Sequence, residues 1–146
     1  GGLPCAVSDE IVKILWSKML YNCALNGLSA LLGVNYGGLY QSEESLAILA
    51  RLIDEIFAVM QAAGYETFWP SADAYKAVFF EKIVPPTFSH NASTLQDMKR
   101  RIPTEIEALN GAVVRLGRRV GVAAPYNEML TQLVRAAESL YDYPKS

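Results

Sequence analysis

The chain has 146 residues, 51% of them hydrophobic and 19% charged, with a formal net charge of −2. This balance excludes a disordered chain and a protein held to nucleic acid by a broad basic face, and the length suits one domain with its own core. Two cysteines are too few for a disulfide scaffold, and a single histidine excludes a multi-histidine metal site, so no metal is expected. Apolar runs are broken by Lys, Asn, Glu or Asp before they reach membrane-spanning length. The N-terminus lacks the basic-then-apolar pattern of a signal peptide. The expectation is a cytoplasmic protein with no membrane or nucleic-acid partner. The first predicted helix begins near Ser8, carries Asp9 and Glu10 in its first turn, and runs to about Asn26 or Leu32. The second opens at Ser42, with Glu43 and Glu44 suited to its first turn and Gly64 after its end. Its Leu46, Leu49, Ile53, Ile56 and Met60 form one apolar stripe. A third starts near Ser71 and stops before Pro85-Pro86, because a residue preceding proline avoids the helical region. A short helix covers Thr94 to Arg101, with Ser93 or Thr94 as its cap, and Pro103 ends that unit. From Thr104 to Gly121 the stripe Ile106, Leu109, Val113, Leu116 and Val120 keeps its phase through Asn110-Gly111. One continuous helix is the favoured reading, with Gly111 allowing close backbone approach; two short helices, with Asn110-Gly111 as a turn, are the alternative. The last helix spans Tyr126 to Leu140, with Leu130, Leu133, Val134, Ala137 and Leu140 inward. No segment alternates like a half-buried strand for more than a few residues. The fold class expected is all-α, a single domain over residues 1–146 with about six helices.

Lys18, Asn22 and Asn26 recur at spacings of four in the first helix. Successive members turn by about 40°, so the three share one side, close to the apolar Ile11 and Ile14. Asn is a mediocre helix former, and a buried amide needs a partner. One reading is a polar seam facing solvent beyond the core. The other is a polar pocket with one cationic proton donor and two amides, where a desolvated lysine acts as general acid or base. Ser93 and Glu105 lie on either side of Pro103 and meet only if two elements fold together. Locally, Ser93 suits a helix cap and Glu105 the first turn of the next helix. His90 reads as a surface residue and Cys23 as a small core residue, while Cys5 is unassignable. Lys99-Arg100-Arg101 and Arg115, Arg118 and Arg119 read as solvated faces, with contact to a cofactor phosphate as the runner-up for the first cluster.

Taken together, these segments resemble the C-terminal domain of the ketopantoate reductase (2-dehydropantoate 2-reductase) family. The resemblance rests on Trp16, Lys18, Asn22 and Asn26, followed by Gly27-Leu28-Ser29-Ala30-Leu31. It continues in Ser93, Leu95-Gln96-Asp97, Lys99-Arg100-Arg101, Thr104-Glu105-Ile106 and Leu109-Asn110-Gly111. It closes on Gly121-Val122, Pro125 and Asn127, so it spans roughly residues 4 to 140. The resemblance implies a fold like the C-terminal domain of 6-phosphogluconate dehydrogenase. It implies an N-terminal Rossmann domain that binds NADPH, absent from this chain: neither Gly1-Gly2 nor Gly37-Gly38 fits a phosphate-binding turn. The substrate would lie between the two domains, and this half alone would not turn over.

By resemblance, Lys18 is the general acid that protonates the keto oxygen. Glu105 positions Lys18 and helps hold the closed site with its cofactor. Ser93 binds the substrate carboxylate, and Asn22 and Asn26 bind its hydroxyl or fix Lys18. The family has a further Asn ten residues beyond the second, where this chain has Tyr36 preceded by Asn35. Tyr36 would donate to the substrate hydroxyl, or Asn35 would shift in, or the site would accept a different 2-keto acid. The reaction implied is reduction of ketopantoate to pantoate, for pantothenate and coenzyme A synthesis. The alternatives are reduction of another 2-keto acid, or a helical dimerisation module using the stripes Leu46–Met60 and Leu130–Leu140. The enzymatic reading loses its main support if Lys18 lies far from both Asn26 and Glu105 and open to bulk water.

Overall fold

The computed structural model describes residues 5–145, with side chains described from Asp9 onward. Gly1-Gly2, the Cys5 thiol and both extremes of the 1–146 domain range lie outside that description. Six α-helices occur among the described residues: α1 (Cys5–Leu32), α2 (Glu43–Ala62), α3 (Ala72–Val78), α4 (Ser93–Lys99), α5 (Asn110–Val120) and α6 (Pro125–Ser139). No strand occurs among them, as the sequence predicts. None of the helices described is long and apolar enough to cross a membrane.

α1 forms the axis and packs against α2, α4 and α6, while α5 lies against α2 and α6. From Cys23 to Ala30 every residue of α1 is buried. Gly27 permits this crowding, since a Cβ there would stand 3.1 Å from both Ile106 and Leu130 side-chain carbons. α2 follows the predicted stripe, with Leu49, Ile53, Ile56 and Met60 in the core. The Ser42 side chain accepts from the Ser45 N–H at 3.1 Å and caps its start.

Several boundaries differ from expectation. α1 is already helical at Cys5, so Ser8 is not its capping residue. The segment from Ser71 does not remain one α-helix. After α3 it widens into a π-turn over Phe79–Ile83 and tightens into a 3₁₀ turn over Pro85–Thr87. Val84 has helical dihedrals, φ −78° and ψ −43°, although Pro85 follows, and its N–H closes the wide turn on the Phe79 carbonyl at 3.1 Å. Ser93 is the first helical residue of α4, and Ala92 stands in the cap position without a side-chain bond, so neither Ser93 nor Thr94 caps that helix.

The expected continuous helix from Thr104 to Gly121 is also corrected. Ile106–Ala108 is a 3₁₀ turn, and Leu109, at φ −104° and ψ −99°, breaks the chain before α5. The stripe does not reveal this, because an i, i+3 apolar spacing such as Ile106–Leu109 suits a 3₁₀ turn as well as an α-helix. Close backbone approach occurs at Gly117 rather than Gly111. A Cβ on Gly117 would lie 2.5 Å from the Val122 carbonyl oxygen, whereas on Gly111 it would meet the movable ends of Glu107 and Arg115. In α6, Leu130 and Val134 are buried, but Leu133 and Leu140 are each 47% exposed and point outward.

Candidate active site

Burial rises steadily along the Lys18–Asn22–Asn26 line. Lys18 is exposed, Asn22 is half-buried, and Asn26 is 7% exposed. Each step of four residues advances about 6 Å along the helix, so the line extends for roughly 12 Å. Side chains so placed reach a small acid lying along α1 more readily than they reach one another. Lys18 makes no hydrogen bond or ion pair with Asn26, Glu105 or any other described residue. The desolvated setting expected for it is therefore not present in this chain, and the enzymatic reading lacks that support here. It stands beyond the end of the core, beside Ile14 and Leu15, which are exposed too.

At the inner end, the Tyr36 hydroxyl donates to Asn26 Oδ1 at 2.8 Å. Tyr36 is 5% exposed, and its ring stands edge-on to Tyr21 with centroids 6.0 Å apart. Burial, with a smaller contribution from Tyr21, pushes the Tyr36 phenol up to about 12, so it stays a neutral donor at ordinary pH. The Tyr21 hydroxyl in turn donates to Thr87 Oγ1 at 3.1 Å. Backbone bonds fix this wall: the Tyr36 N–H binds the His90 carbonyl at 3.1 Å and the Gly37 N–H binds that of Phe88 at 2.9 Å. The segment leading into Ser93 is thereby tied to Tyr36, and α4 packs on α1.

The remaining candidates are less convergent. Ser93 is exposed at the start of α4. Asn35 is exposed and uses its Oδ1 to accept from the Gly38 N–H at 3.0 Å, which caps the 3₁₀ turn Tyr36–Gln41. It does not take Tyr36's place beside Asn26. Glu105 is exposed just before the turn Ile106–Ala108, and its carboxylate binds no described residue. His90 is exposed, as expected, and Cys23 is fully buried, with burial raising its thiol pKa. Among the basic residues, Arg115 pairs with Glu107 and Arg118 with Glu128.

Sequence reasoning missed Tyr21 and Thr87, whose types carry no spacing signal. It also quoted Asn110 and Asn127 without giving them work. Asn110 is sealed in the core, and its Nδ2 donates to the Cys23 carbonyl and to Asn127 Oδ1, each at 2.9 Å. Its Oδ1 has no partner among the described residues. Glu55 of α2 accepts from the Tyr126 and Asn127 N–H groups, both at 3.0 Å, and from Asn127 Nδ2 at 2.9 Å. The network caps α6, whose own cap position holds Ala124, and pins α1 one residue past Asn22. A detectable signal was present: asparagines in otherwise apolar stripes.

A concavity of about 650 Å³ is lined by Met60, Tyr65, Thr67 and Trp69 among others, and by none of the candidate residues. The polar line on α1 lies outside that cavity. Within this chain the candidate site is an open face and not a cleft.

A family model described as "Ketopantoate reductase PanE/ApbA C terminal" matches residues 10–138. The 2-dehydropantoate 2-reductase of Aquifex aeolicus (strain VF5) is 48% identical over 137 residues, which is 94% of this chain and 44% of that protein. The chain thus spans less than half the length of this relative. Among solved structures, a PanE/ApbA family ketopantoate reductase from Ralstonia eutropha JMP134 superposes with a TM-score of 0.80 at 34% identity, covering 90% of this chain and 42% of the other. A D-mandelate dehydrogenase in complex with NADH and anilino(oxo)acetate gives a TM-score of 0.74 at 32% identity, over 87% of this chain and 41% of the other.

Proposed function

Because the chain belongs to the family of ketopantoate reductase C-terminal domains, we propose that it is the substrate-holding half of a nicotinamide-dependent 2-keto acid reductase acting on 2-dehydropantoate. The observation that carries this reading is the single polar line on α1, with Lys18 at its open end and the Asn26–Tyr36 pair at its buried end.

The described residues do not fit a dinucleotide site of their own. Gly37-Gly38 lies in a 3₁₀ turn, with no strand before it, and not at a strand-to-helix turn. NADPH binding is accordingly assigned to an N-terminal Rossmann domain, with Glu105 adding a contact from this side. The bound cofactor supplies the hydride. The tasks left to this chain are binding, orientation and the proton. Lys18 protonates the keto oxygen and stabilises the charge developing there. Its exposure here is consistent with a site that the Rossmann domain covers, since water exclusion strengthens such an interaction. The free Glu105 carboxylate positions Lys18 once the domains close. Ser93 holds the substrate carboxylate, and Asn22 and Asn26 hold the polar atoms along the rest of the acid. Pantoate formation would serve pantothenate and coenzyme A synthesis in the cytoplasm. The outward Leu133 and Leu140 support a homodimer through α6.

A second reading has its own support. The D-mandelate dehydrogenase neighbour is named as a complex with NADH and an oxo acid that is not ketopantoate, which favours another 2-keto acid and the unphosphorylated cofactor. The test is cofactor oxidation by the chain together with its cofactor-binding domain, using NADPH and NADH in turn. Selective turnover of 2-dehydropantoate with NADPH supports the first reading. Turnover of other 2-keto acids alone supports the second, and no turnover with any of them refutes both. The isolated helical chain is expected to be inactive and to bind NADPH weakly, which titration calorimetry would check.

A further inference from the structure

We propose that Glu138, in the last turn of α6, is a positioning residue for the site: it holds the backbone beside Glu105, so that the Glu105 carboxylate is set in place before the domains close. The inference rests on the reductase reading above, in which Glu105 works with Lys18 and the cofactor.

Glu105 is held on both sides and free at its tip. On the N-terminal side, the Thr104 N–H and hydroxyl both donate to Glu138 Oε2, the N–H at 3.3 Å. Further back, the Tyr141 hydroxyl donates to the Ile102 carbonyl at 2.9 Å. On the C-terminal side, the Thr104 hydroxyl oxygen accepts from the Ile106 N–H at 3.3 Å, so one hydroxyl bridges across Glu105. The Glu105 carbonyl accepts from the Ala108 and Leu109 N–H groups, at 3.0 and 3.1 Å, and the Ile106 side chain is sealed in the core. The Glu107 carboxylate is held by Arg115 at 2.7 Å and by Arg135 at 3.1 Å. None of these anchors engages the Glu105 carboxylate, which is exposed and binds no described residue.

Residues 102–105 belong to no helix. Side chains from beyond the segment therefore satisfy backbone groups that a helical ladder would otherwise pair. The Glu138 side chain is only 15% exposed. A hydrogen bond to a carboxylate so shielded is stronger than one between neutral groups. A charged group on a fixed backbone with its own bonding capacity unused loses little freedom when a partner arrives, which is the advantage of preorganisation. Glu138 supplies the fixing and Glu105 the contact.

The experiment is a double-mutant cycle in the complete reductase, reading kcat/KM for 2-dehydropantoate at saturating NADPH beside Tm. Glu138→Ala alone is expected to lower kcat/KM by about ten- to a hundredfold, the scale of a misplaced group. In a Glu105→Ala background the same change is expected to cost less than about threefold, because no carboxylate is left to place. Thr104→Val is expected to follow Glu138→Ala in both backgrounds, and Thr104→Ser, which keeps the hydroxyl, to retain most of the activity. If Glu138→Ala does not fold, the Thr104 variants decide by the same criteria. A loss as large without Glu105 as with it leaves Glu138 a structural role only and overturns the inference, and so does full activity in the single variants. Full activity in Glu105→Ala overturns the inference together with the task given to Glu105, while the reductase stands. Absence of turnover in the unmodified protein contradicts the reductase reading itself, and the inference falls with it.

Discussion

Leu15 and Leu25 belong to the same helix, ten residues apart, yet Leu15 is 53% exposed and Leu25 is sealed. The N-terminal half of α1 has Ile11, Ile14, Leu15 and Lys18 in solvent. It is held mainly by Trp16 against Tyr65 and by the Ser17–Thr67 hydroxyl contact at 2.8 Å. In the half from Leu20 to Ala30, nearly every position is enclosed by α2, α4 and α6. A helix interior to a bundle has no need of an amphipathic pattern. A helix with large apolar groups on an open face is shaped to be covered. The candidate site lies across the junction of these regimes, which explains why its residues range from exposed to buried.

The largest effect expected from this contrast is on stability. Leu25→Ala should destabilise the fold by about 2–5 kcal/mol, while Leu15→Ala should change it by less than about 0.5 kcal/mol. Denaturant unfolding of both variants measures the difference, and equal losses would break the comparison. Next is Asn110→Ala, which removes donors from the Cys23 carbonyl and from Asn127. A loss of about 2 kcal/mol is expected, although no apolar contact of consequence is deleted. A neutral result would mean that the buried half of α1 does not depend on this network.

Alkaline pH should act next. Burial raises the phenols of Tyr36 and Tyr40, each to about 12, and that of Tyr75 further. A group whose folded pKa lies above its unfolded value contributes stability that is complete below the unfolded pKa. Unfolded tyrosine ionises near pH 10, so stability should fall between about pH 10 and 12. Thermal melts across that range should show falling Tm as phenolate absorbance appears, and a flat profile would contradict the burial of these rings. The smallest effect concerns the exit of α4. Arg101 has φ +59°, and the Arg101 and Ile102 N–H groups bind the Met98 and Asp97 carbonyls at 3.1 and 3.0 Å. This closing motif favours glycine, so Arg101→Gly should stabilise the fold by about 1 kcal/mol. A raised Tm checks it.

The fold was largely readable because α2 and α6 carry regular stripes, and Ser42 and Ser71 are genuine caps. The break at Leu109 was not readable, since an i, i+3 apolar pair such as Ile106 and Leu109 suits a 3₁₀ turn as well as an α-helix. Leu133 and Leu140 were misplaced because periodicity identifies an apolar stripe without saying how wide a partner covers it. The line Lys18–Asn22–Asn26 was visible from spacing. Its gradient of burial depends on where α2 and α4 end against α1, which no local pattern encodes. Tyr36 was singled out as a departure from the family's pattern, and its bond to Asn26 is a tertiary fact. Asn35, equally plausible in sequence, is drawn away because the turn that follows needs a cap.

The most direct test is the turnover of Lys18→Met in the chain joined to the Rossmann domain proposed above, measured beside its thermal stability. Because Lys18 stands free of the core, the account predicts an unchanged Tm together with a fall in kcat of about a hundredfold or more, the scale of a lost general acid. Unchanged turnover would remove Lys18 from the chemistry and with it the proposed role of the polar line.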